Sequence, residues 1–257
     1  MPYHRLSTAK IARAVGCHPN TVRLYETLGF LPPVERNAKG YRLYTFAHLN
    51  QMRLAVTALI TRWPGRPIRH SALALVRQTA SGDLGGGLES AYRHLALVRS
   101  ELVQAETAVR LLERWAHGAP TDATTRPLRI SETARLLNLT TDKLRNWERN
   151  GLIEVPHDPN NHYRQYGQTE IARLRVIRML MNAGYSTMAI LRMLLRLDRG
   201  DATGLRETLD TPGPDEDVYT AADQWLSTLT DQEERALKLI EIIEGRMEED
   251  GLGGGGM

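Results

Sequence analysis

A gapless internal repeat constrains the fold of this chain more than any other feature of its 257 residues. When the sequence is shifted by 122 positions, residues 6–54 align with residues 128–176. The identical aligned pairs include Ala12 with Ala134, Arg13 with Arg135, Arg23 with Arg145, Glu26 with Glu148, Gly29 with Gly151, Tyr41 with Tyr163, Arg42 with Arg164, Tyr44 with Tyr166 and Arg53 with Arg175. A module that occurs twice predicts two similar domains.

The first copy begins with the pattern of two short helices joined by a tight turn. Ser7 and Thr8 are candidate caps for a helix that runs to Val15. Gly16 can adopt the left-handed backbone that ends this helix, and residues 18–28 form the second one. The second copy has the same pattern, with helices over 129–137 and after Thr140.

Two helices joined by about three to four turn residues form a helix-turn-helix, which places its second helix in the DNA major groove. The same geometry also occurs as ordinary packing in helical bundles. A short hairpin after each helix pair favours the DNA-binding interpretation. Residues 31–44 and 156–166 each contain a turn rich in polar residues between short alternating runs, which predicts a wing suited to phosphate contacts.

The second helix and the wing of each copy resemble the mercury-resistance-regulator (MerR) family of transcription factors. The family pattern is Thr-x-Arg-x-Tyr-Glu, then Gly-Leu-Leu, then Gly-Tyr-Arg-x-Tyr. The first copy is similar to it at 21–26, 29–31 and 40–44, and the second copy at 143–148, 151–153 and 162–166. The first copy matches more closely, but residues 62–69 replace the turn that the family has before its fourth helix.

The resemblance implies that both copies bind DNA as winged helix-turn-helix heads. It carries over Arg23 and Arg145 as contacts from the recognition helices. The complete set of expected DNA-contacting residues is His18, Asn20, Thr21, Arg23, Arg36, Lys39, Tyr41 and Arg42 in the first copy, with Thr140, Lys143, Arg145, Asn146, Asn161, Tyr163 and Arg164 in the second.

Two long helices with a coiled-coil seam follow the copies. Apolar residues recur every three or four positions from Leu88 to Ala116 and again from Tyr219 to Met247. Core helices of a compact bundle are the alternative interpretation, but they fit the narrow seam less well. The predicted fold is therefore mainly α, with two winged helix-turn-helix domains whose long helices form an antiparallel coiled coil.

The expected domains follow from these elements. They are a first head over 1–80, a long helix over 88–117, a linker over 118–127, a second head over 128–200, a second long helix over 215–249 and a flexible tail over 250–257. In the MerR family such helices pair between two subunits. Because this chain owns both heads and both helices, we expect a monomeric pseudo-dimer, and the alternative is a homodimer with four heads.

The distribution of charge agrees with binding to a polyanion. The net charge of +3 divides into about +9 over residues 1–127, about +5 over 128–200 and about −11 over 201–257. Basic heads and an acidic C-terminal stretch suit a protein that neutralises phosphates with one part of its surface. The alternative interpretation of this asymmetry is a solvated surface whose charges are unevenly distributed by chance.

Other kinds of chemistry find little support in the sequence. Cys17 is the only cysteine, so a disulfide and a paired-thiolate metal site are excluded, and we expect the protein to act in the reducing cytoplasm. The eight histidines lack metal-ligand spacing, and no nucleophile, base and orienting group recur together. We therefore expect no enzyme activity, no metal and no cofactor.

Gly85, Gly86 and Gly87 predict a flexible joint before the first long helix. No apolar run is long enough for a signal peptide or a membrane span.

The leading prediction is a sequence-specific transcription regulator that binds promoter or operator DNA. RNA polymerase and a small-molecule effector are its other candidate partners. One alternative is an architectural or recombination-accessory DNA-binding protein. Another is a regulator whose second helix-turn-helix serves protein interaction.

Overall fold

The computed structural model describes residues 5–118, 126–212 and 221–253 of the chain. The structure is mainly helical, which confirms the predicted fold class of helix-turn-helix heads with coiled-coil helices. The chain forms two compact units. Unit 1 comprises Met1–Ser100 together with Leu229–Met257, and unit 2 comprises Glu101–Thr228.

The head of unit 1 has the predicted helix-turn-helix and wing. Its elements are α1 (Thr8–Ala14), α2 (Pro19–Thr27), β1 (Glu35–Arg36), β2 (Arg42–Leu43), α3 (Phe46–Leu59) and α4 (Arg66–Ala80). Ser7 caps α1, because its Oγ accepts a hydrogen bond of 3.3 Å from the Lys10 amide. Gly16 has a φ of +68° in the turn between α1 and α2, a conformation that glycine adopts without strain.

The first long helix, α5 (Leu84–Ala116), begins earlier than the sequence predicts. Gly85, Gly86 and Gly87 lie inside this helix, so their interpretation as a flexible joint is wrong. The Asp83 carboxylate accepts a hydrogen bond of 2.9 Å from the Gly86 amide at the helix start. A Cβ on Gly87 would lie 2.5 Å from Cγ2 of Thr79, so close packing explains a glycine there.

The last helix, α11 (Trp225–Gly253), completes the core of the first head. From residue 229 onward α11 belongs to unit 1. Its buried Ala236, Leu239, Ile240 and Ile243 share one hydrophobic cluster with Ile11, Val22 and Tyr25 of the head and with Ala91 and Leu95 of α5. The head therefore depends on apolar residues about 200 positions away in the chain.

Polar contacts fix the direction of α11 within unit 1. The Arg235 guanidinium donates hydrogen bonds of 3.3 Å to the carbonyl oxygens of Thr57 and Ile60, which satisfies carbonyls at the end of α3. The Tyr92 hydroxyl donates to Glu244 at 3.1 Å. Arg99, further along α5, pairs with Glu233 at 2.6 Å, earlier in α11. In unit 1 the two long helices are therefore antiparallel.

Unit 2 repeats the head and adds a short helix. Its elements are the end of α5, α6 (Ile130–Leu136), α7 (Thr141–Arg149), α8 (Gln168–Asn182), α9 (Thr187–Asp198), α10 (Leu205–Asp210) and a 3-10 helix (Ala221–Gln224). Isolated bridges pair His157 with Arg164 and Leu128 with Tyr166 at the second wing. The Tyr185 hydroxyl donates to the Ala105 carbonyl at 3.4 Å, so α5 packs on the second head within this unit.

Parts of four predicted segments lie outside the described residues. They are 1–4 of the expected first head, 119–125 of the expected linker, 215–220 of the expected second long helix and 254–257 of the expected tail. Within the ranges that the structure describes, no helix is both long and apolar enough to cross a membrane.

Burial of His94 on α5 predicts a pH-dependent stability. Its side chain is 2% exposed, Nδ1 has no hydrogen-bond partner among the residues that the structure describes, and burial lowers the pKa to about 4. The unfolded chain binds a proton near pH 6.5 that the folded chain binds only near pH 4. Stability is therefore lost as the pH falls through this window.

We expect His94 to reduce the free energy of unfolding by roughly 2 kcal/mol between pH 7 and pH 5. Urea unfolding at the two pH values measures this loss. His94→Leu should remove that part of the pH dependence, whereas His70→Gln, at an exposed position of the same unit, should leave it unchanged. Equal pH dependence in His94→Leu and the native chain would contradict the prediction.

Candidate nucleic-acid interface

The recognition helix of the first head, α2, has one buried face and one exposed face. Val22 and Tyr25 point into the core, while Asn20 and Arg23 are exposed. The Arg23 guanidinium donates a hydrogen bond of 2.7 Å to the side-chain oxygen of Asn20. The first turn of α2 therefore presents a cation beside an amide, both suited to hydrogen bonding with base edges.

The recognition helix of the second head, α7, presents a similar face with a different first turn. Leu144 and Trp147 are buried, and Arg145 is exposed. The Arg145 guanidinium pairs with the Asp142 carboxylate at 2.9 Å. The Lys143 ammonium lies 5.8 Å from the centre of the Trp147 ring. Each head thus pairs its expected arginine with the residue three positions earlier.

Three of the expected contact residues shape the backbone or a neighbouring side chain. His18 caps α2, since its Nδ1 accepts a hydrogen bond of 3.2 Å from the Asn20 amide. Thr140 caps α7 in the same way, accepting 3.1 Å from the Lys143 amide. The Asn146 side chain accepts a hydrogen bond of 2.9 Å from the side-chain amide of Asn150. The caps fix where each recognition helix begins.

The first wing is a two-stranded hairpin whose tip is exposed. Glu35 pairs with Leu43 and Arg36 with Arg42 across the strands. The Asn37 side chain accepts hydrogen bonds from the amides of Lys39 and Tyr41, at 3.0 and 2.9 Å, and so holds the turn. Tyr41 is 68% exposed at the tip, and Lys39 is exposed beside it.

Glu26 joins the first wing to its recognition helix. Its carboxylate forms an ion pair with the Arg42 guanidinium, and it also accepts from the Tyr44 hydroxyl at 3.4 Å. Arg36 reaches the same carboxylate at 3.5 Å. The structure therefore places the expected wing contact Arg42 in an internal ion pair that links the wing to the recognition helix.

Glu148 does the same in the second head. Its carboxylate pairs with the Arg164 guanidinium at 2.8 Å, and this hydrogen bond raises the pKa of Arg164. Both wing arginines thus bind a glutamate of the recognition helix. Asp142, Arg145, Glu148, Arg149 and Arg164 line one cavity of about 570 Å³, so acidic and basic groups mix on this face.

The second wing is held by its polar side chains. The Asn161 side chain accepts a hydrogen bond of 2.9 Å from the Tyr163 amide, and the Asp158 side chain accepts one of 2.8 Å from the Asn160 amide. Tyr163 is 61% exposed, with the Arg129 guanidinium 5.4 Å from its ring centre. Asn161 therefore supports the turn, and Tyr163 remains available to a ligand.

Two features of these surfaces were not predicted from the sequence, namely the glutamate–arginine links between recognition helix and wing and a cationic cluster on α4. The repeat contained a signal for these links. Glu26 and Glu148 occupy equivalent positions of the two copies, and so do their partners Arg42 and Arg164. Arg66, Arg69 and His70 line a cavity of about 570 Å³ at the start of α4, a helix with no acidic residue in its first turn. This cluster adds a cationic surface to unit 1.

The link between Glu26 and Arg42 predicts a loosened wing when the charge is removed. Glu26→Gln keeps the shape of the side chain but leaves the half-buried Arg42 cation without its counter-charge, at a cost of about 1–3 kcal/mol. Hydrogen exchange of the amides in residues 35–43 should become about tenfold faster or more. Glu35→Gln, which removes an exposed carboxylate of the same wing, is the control and should change little. Equal protection in both variants would contradict the prediction.

A thiolate or multi-ligand metal site does not fit the donors that the structure describes. Among residues 5–118, 126–212 and 221–253, no group of three or more His, Cys, Asp or Glu side chains could hold a metal ion. Burial raises the pKa of the Cys17 thiol, which disfavours the thiolate form that binds metals.

Comparisons with known proteins match both heads separately. A family model described as "MerR family regulatory protein" matches residues 7–44, and one described as "MerR HTH family regulatory protein" matches residues 128–197. A protein of Haemophilus influenzae named "Probable heavy metal-dependent transcriptional regulator" is 32% identical over 117 residues, which cover 46% of this chain and 83% of that protein. The "Mercuric resistance operon regulatory protein" of Serratia marcescens is 32% identical over 73 residues, 28% of this chain and 50% of that protein. No solved structure gives a significant match.

Proposed function

Because this chain belongs to the MerR family of DNA-binding transcription regulators, we propose that it binds promoter DNA with both heads of a single chain. Each MerR-type module supplies one recognition helix and one wing. RNA polymerase, which acts on the same promoter DNA, is the second proposed partner. The proposal differs from a homodimer because one polypeptide provides both halves of the binding surface.

The packing of the long helices is the observation that carries this proposal. Within unit 1, α11 buries Ile240 and Ile243 in the core of the first head, and its Arg235 bonds to carbonyls of α3. Within unit 2, α5 contacts the second head through the Ala105 carbonyl. Each head is therefore packed against the long helix that follows the other head in the chain. This intrachain exchange of helices supports a pseudo-dimer.

The proposed DNA contacts divide into two groups. Arg23 and Arg145 face outward from the recognition helices and would reach base edges or phosphates, as would Asn20, Thr21, Lys143 and Asn146. From the wings, Tyr41, Tyr163 and Lys39 would contact the sugar-phosphate backbone of the DNA. Arg42 and Arg164 would position the wings through Glu26 and Glu148.

The heavy-metal dependence in the name of the Haemophilus influenzae protein does not extend to this proposal. The relevant observation is the donor set, in which burial raises the pKa of the single thiol, Cys17, and the described residues contain no multi-ligand group.

Two measurements test the proposal. Light scattering at micromolar concentration should give the mass of one chain, 28.9 kDa, and twice that mass would reject the monomer. Binding to duplexes selected from a random library should weaken by about 5- to 100-fold in Arg23→Ala and in Arg145→Ala. An effect of Arg23→Ala alone would assign the second head to another role.

A further inference from the structure

The repeat places two nearly isosteric side chains at equivalent positions of the two recognition helices. Asn20 is the second residue of α2, and Asp142, 122 positions later, is the second residue of α7. Each accepts a hydrogen bond from the equivalent arginine, Arg23 at 2.7 Å and Arg145 at 2.9 Å. The two heads share this geometry, and the chemistry of the acceptor differs.

The amide and the carboxylate suit different base edges. An asparagine side chain both donates and accepts, which matches N6 and N7 of adenine, whereas an ionised aspartate only accepts, which matches the amino group of cytosine. The Asp142 side chain is 86% exposed, so it is open to a ligand. Its negative charge is repelled by phosphates and offsets the charge of Arg145.

We infer that Asn20 and Asp142 make the two heads read different bases at equivalent positions of an asymmetric operator. The half-site bound by the first head carries an adenine at this position, and the half-site bound by the second head carries a cytosine. The inference rests on the proposed function, since it requires that both heads contact bases. It also assigns the weaker phosphate attraction to the second head.

A carboxylate in the first turn of a helix also has a structural explanation. Asp142 interacts favourably with the helix dipole and with Arg145, effects that change stability slightly. Thr140 already caps α7, so the helix start does not require Asp142 for its capping hydrogen bond. A purely structural Asp142 would leave base preference unchanged when substituted, which separates the two roles.

The test is selection of binding sites from a random duplex library with the full chain. The native chain should select an asymmetric site with adenine in one half and cytosine in the other. Asp142→Asn should convert the second half to adenine, and Asn20→Asp should convert the first half to cytosine. The double variant should exchange the two bases while the surrounding positions keep their order. Discrimination at the position should change by about 5- to 100-fold.

Glu154→Gln is the matched control, because it removes an exposed carboxylate of the same unit outside α7. Glu154→Gln should leave the selected bases unchanged. Asp142→Asn should also make the DNA affinity fall more steeply with salt concentration, by the amount that corresponds to about one additional phosphate contact. Retained selection with unchanged bases in both Asp142→Asn and Asn20→Asp would overturn the inference and leave the proposed function intact. Failure of the native chain to enrich any duplex would overturn the proposed function itself. Circular dichroism of each variant verifies that it folds.

Discussion

Ile243→Ala is expected to destabilise the first unit by about 2–5 kcal/mol, although residue 243 lies near the C-terminus. The Ile243 side chain is fully buried in the cluster that also contains Ile11, Val22 and Tyr25 of the first head. Truncation leaves a cavity in that cluster and removes contacts between α11 and the head. Urea unfolding should show the loss, and hydrogen exchange should place it in α1 and α2.

Leu237→Ala on the same helix is the control for this prediction. Leu237 is 41% exposed, so its truncation should cost less than about 1 kcal/mol. Similar losses for the two variants would mean that α11 does not form part of the core. If the pseudo-dimer proposal is correct, Ile243→Ala should also weaken DNA binding by the first head, because the recognition helix α2 depends on this core.

Gly184→Ala should destabilise the second unit by about 2–4 kcal/mol through two separable effects. Gly184 has a φ of +99°, which strains any residue with a Cβ. An added Cβ would also overlap Cζ2 of Trp225, so the indole ring would have to move. Urea unfolding with hydrogen exchange of α8 and α9 measures the change.

Gly200→Ala isolates the backbone contribution. Gly200 lies in the same unit with a φ of +81°, and no heavy atom of the described part of the chain lies within 4 Å of the position that an added Cβ would occupy. This substitution should therefore cost only about 1 kcal/mol. A loss in Gly184→Ala no greater than that in Gly200→Ala would show that the Trp225 ring yields without cost.

Local sequence signals predicted the elements that carry the interface. The repeat located both heads, the spacing of Gly16 and Thr140 located the recognition helices, and the turn residues near Asn37 located the first wing. These signals are reliable because caps, turns and amphipathic faces depend on residues a few positions apart. The short α10, Leu205–Asp210, was missed because six residues carry too little periodicity.

The side-chain partners within the interface were harder to predict. Arg42 and Arg164 were expected to face DNA, and the structure directs both guanidinium groups to Glu26 and Glu148. The glycines at the start of α5 predict a joint, because the sequence does not reveal that Thr79 packs against Gly87. Such contacts join residues on different elements, and local spacing does not specify them.

The two DNA-binding modules, each followed by a long amphipathic helix, could be deduced from the amino-acid sequence alone, because repetition and periodicity are properties of neighbouring residues. The role of Ile240 and Ile243 of α11 in completing the core of the first head, about 200 residues upstream, became visible only in the three-dimensional fold. The physical reason is that an apolar helix face can pack against several partners. The native partner is the one that leaves the least apolar surface exposed to water and the fewest carbonyl groups without hydrogen bonds.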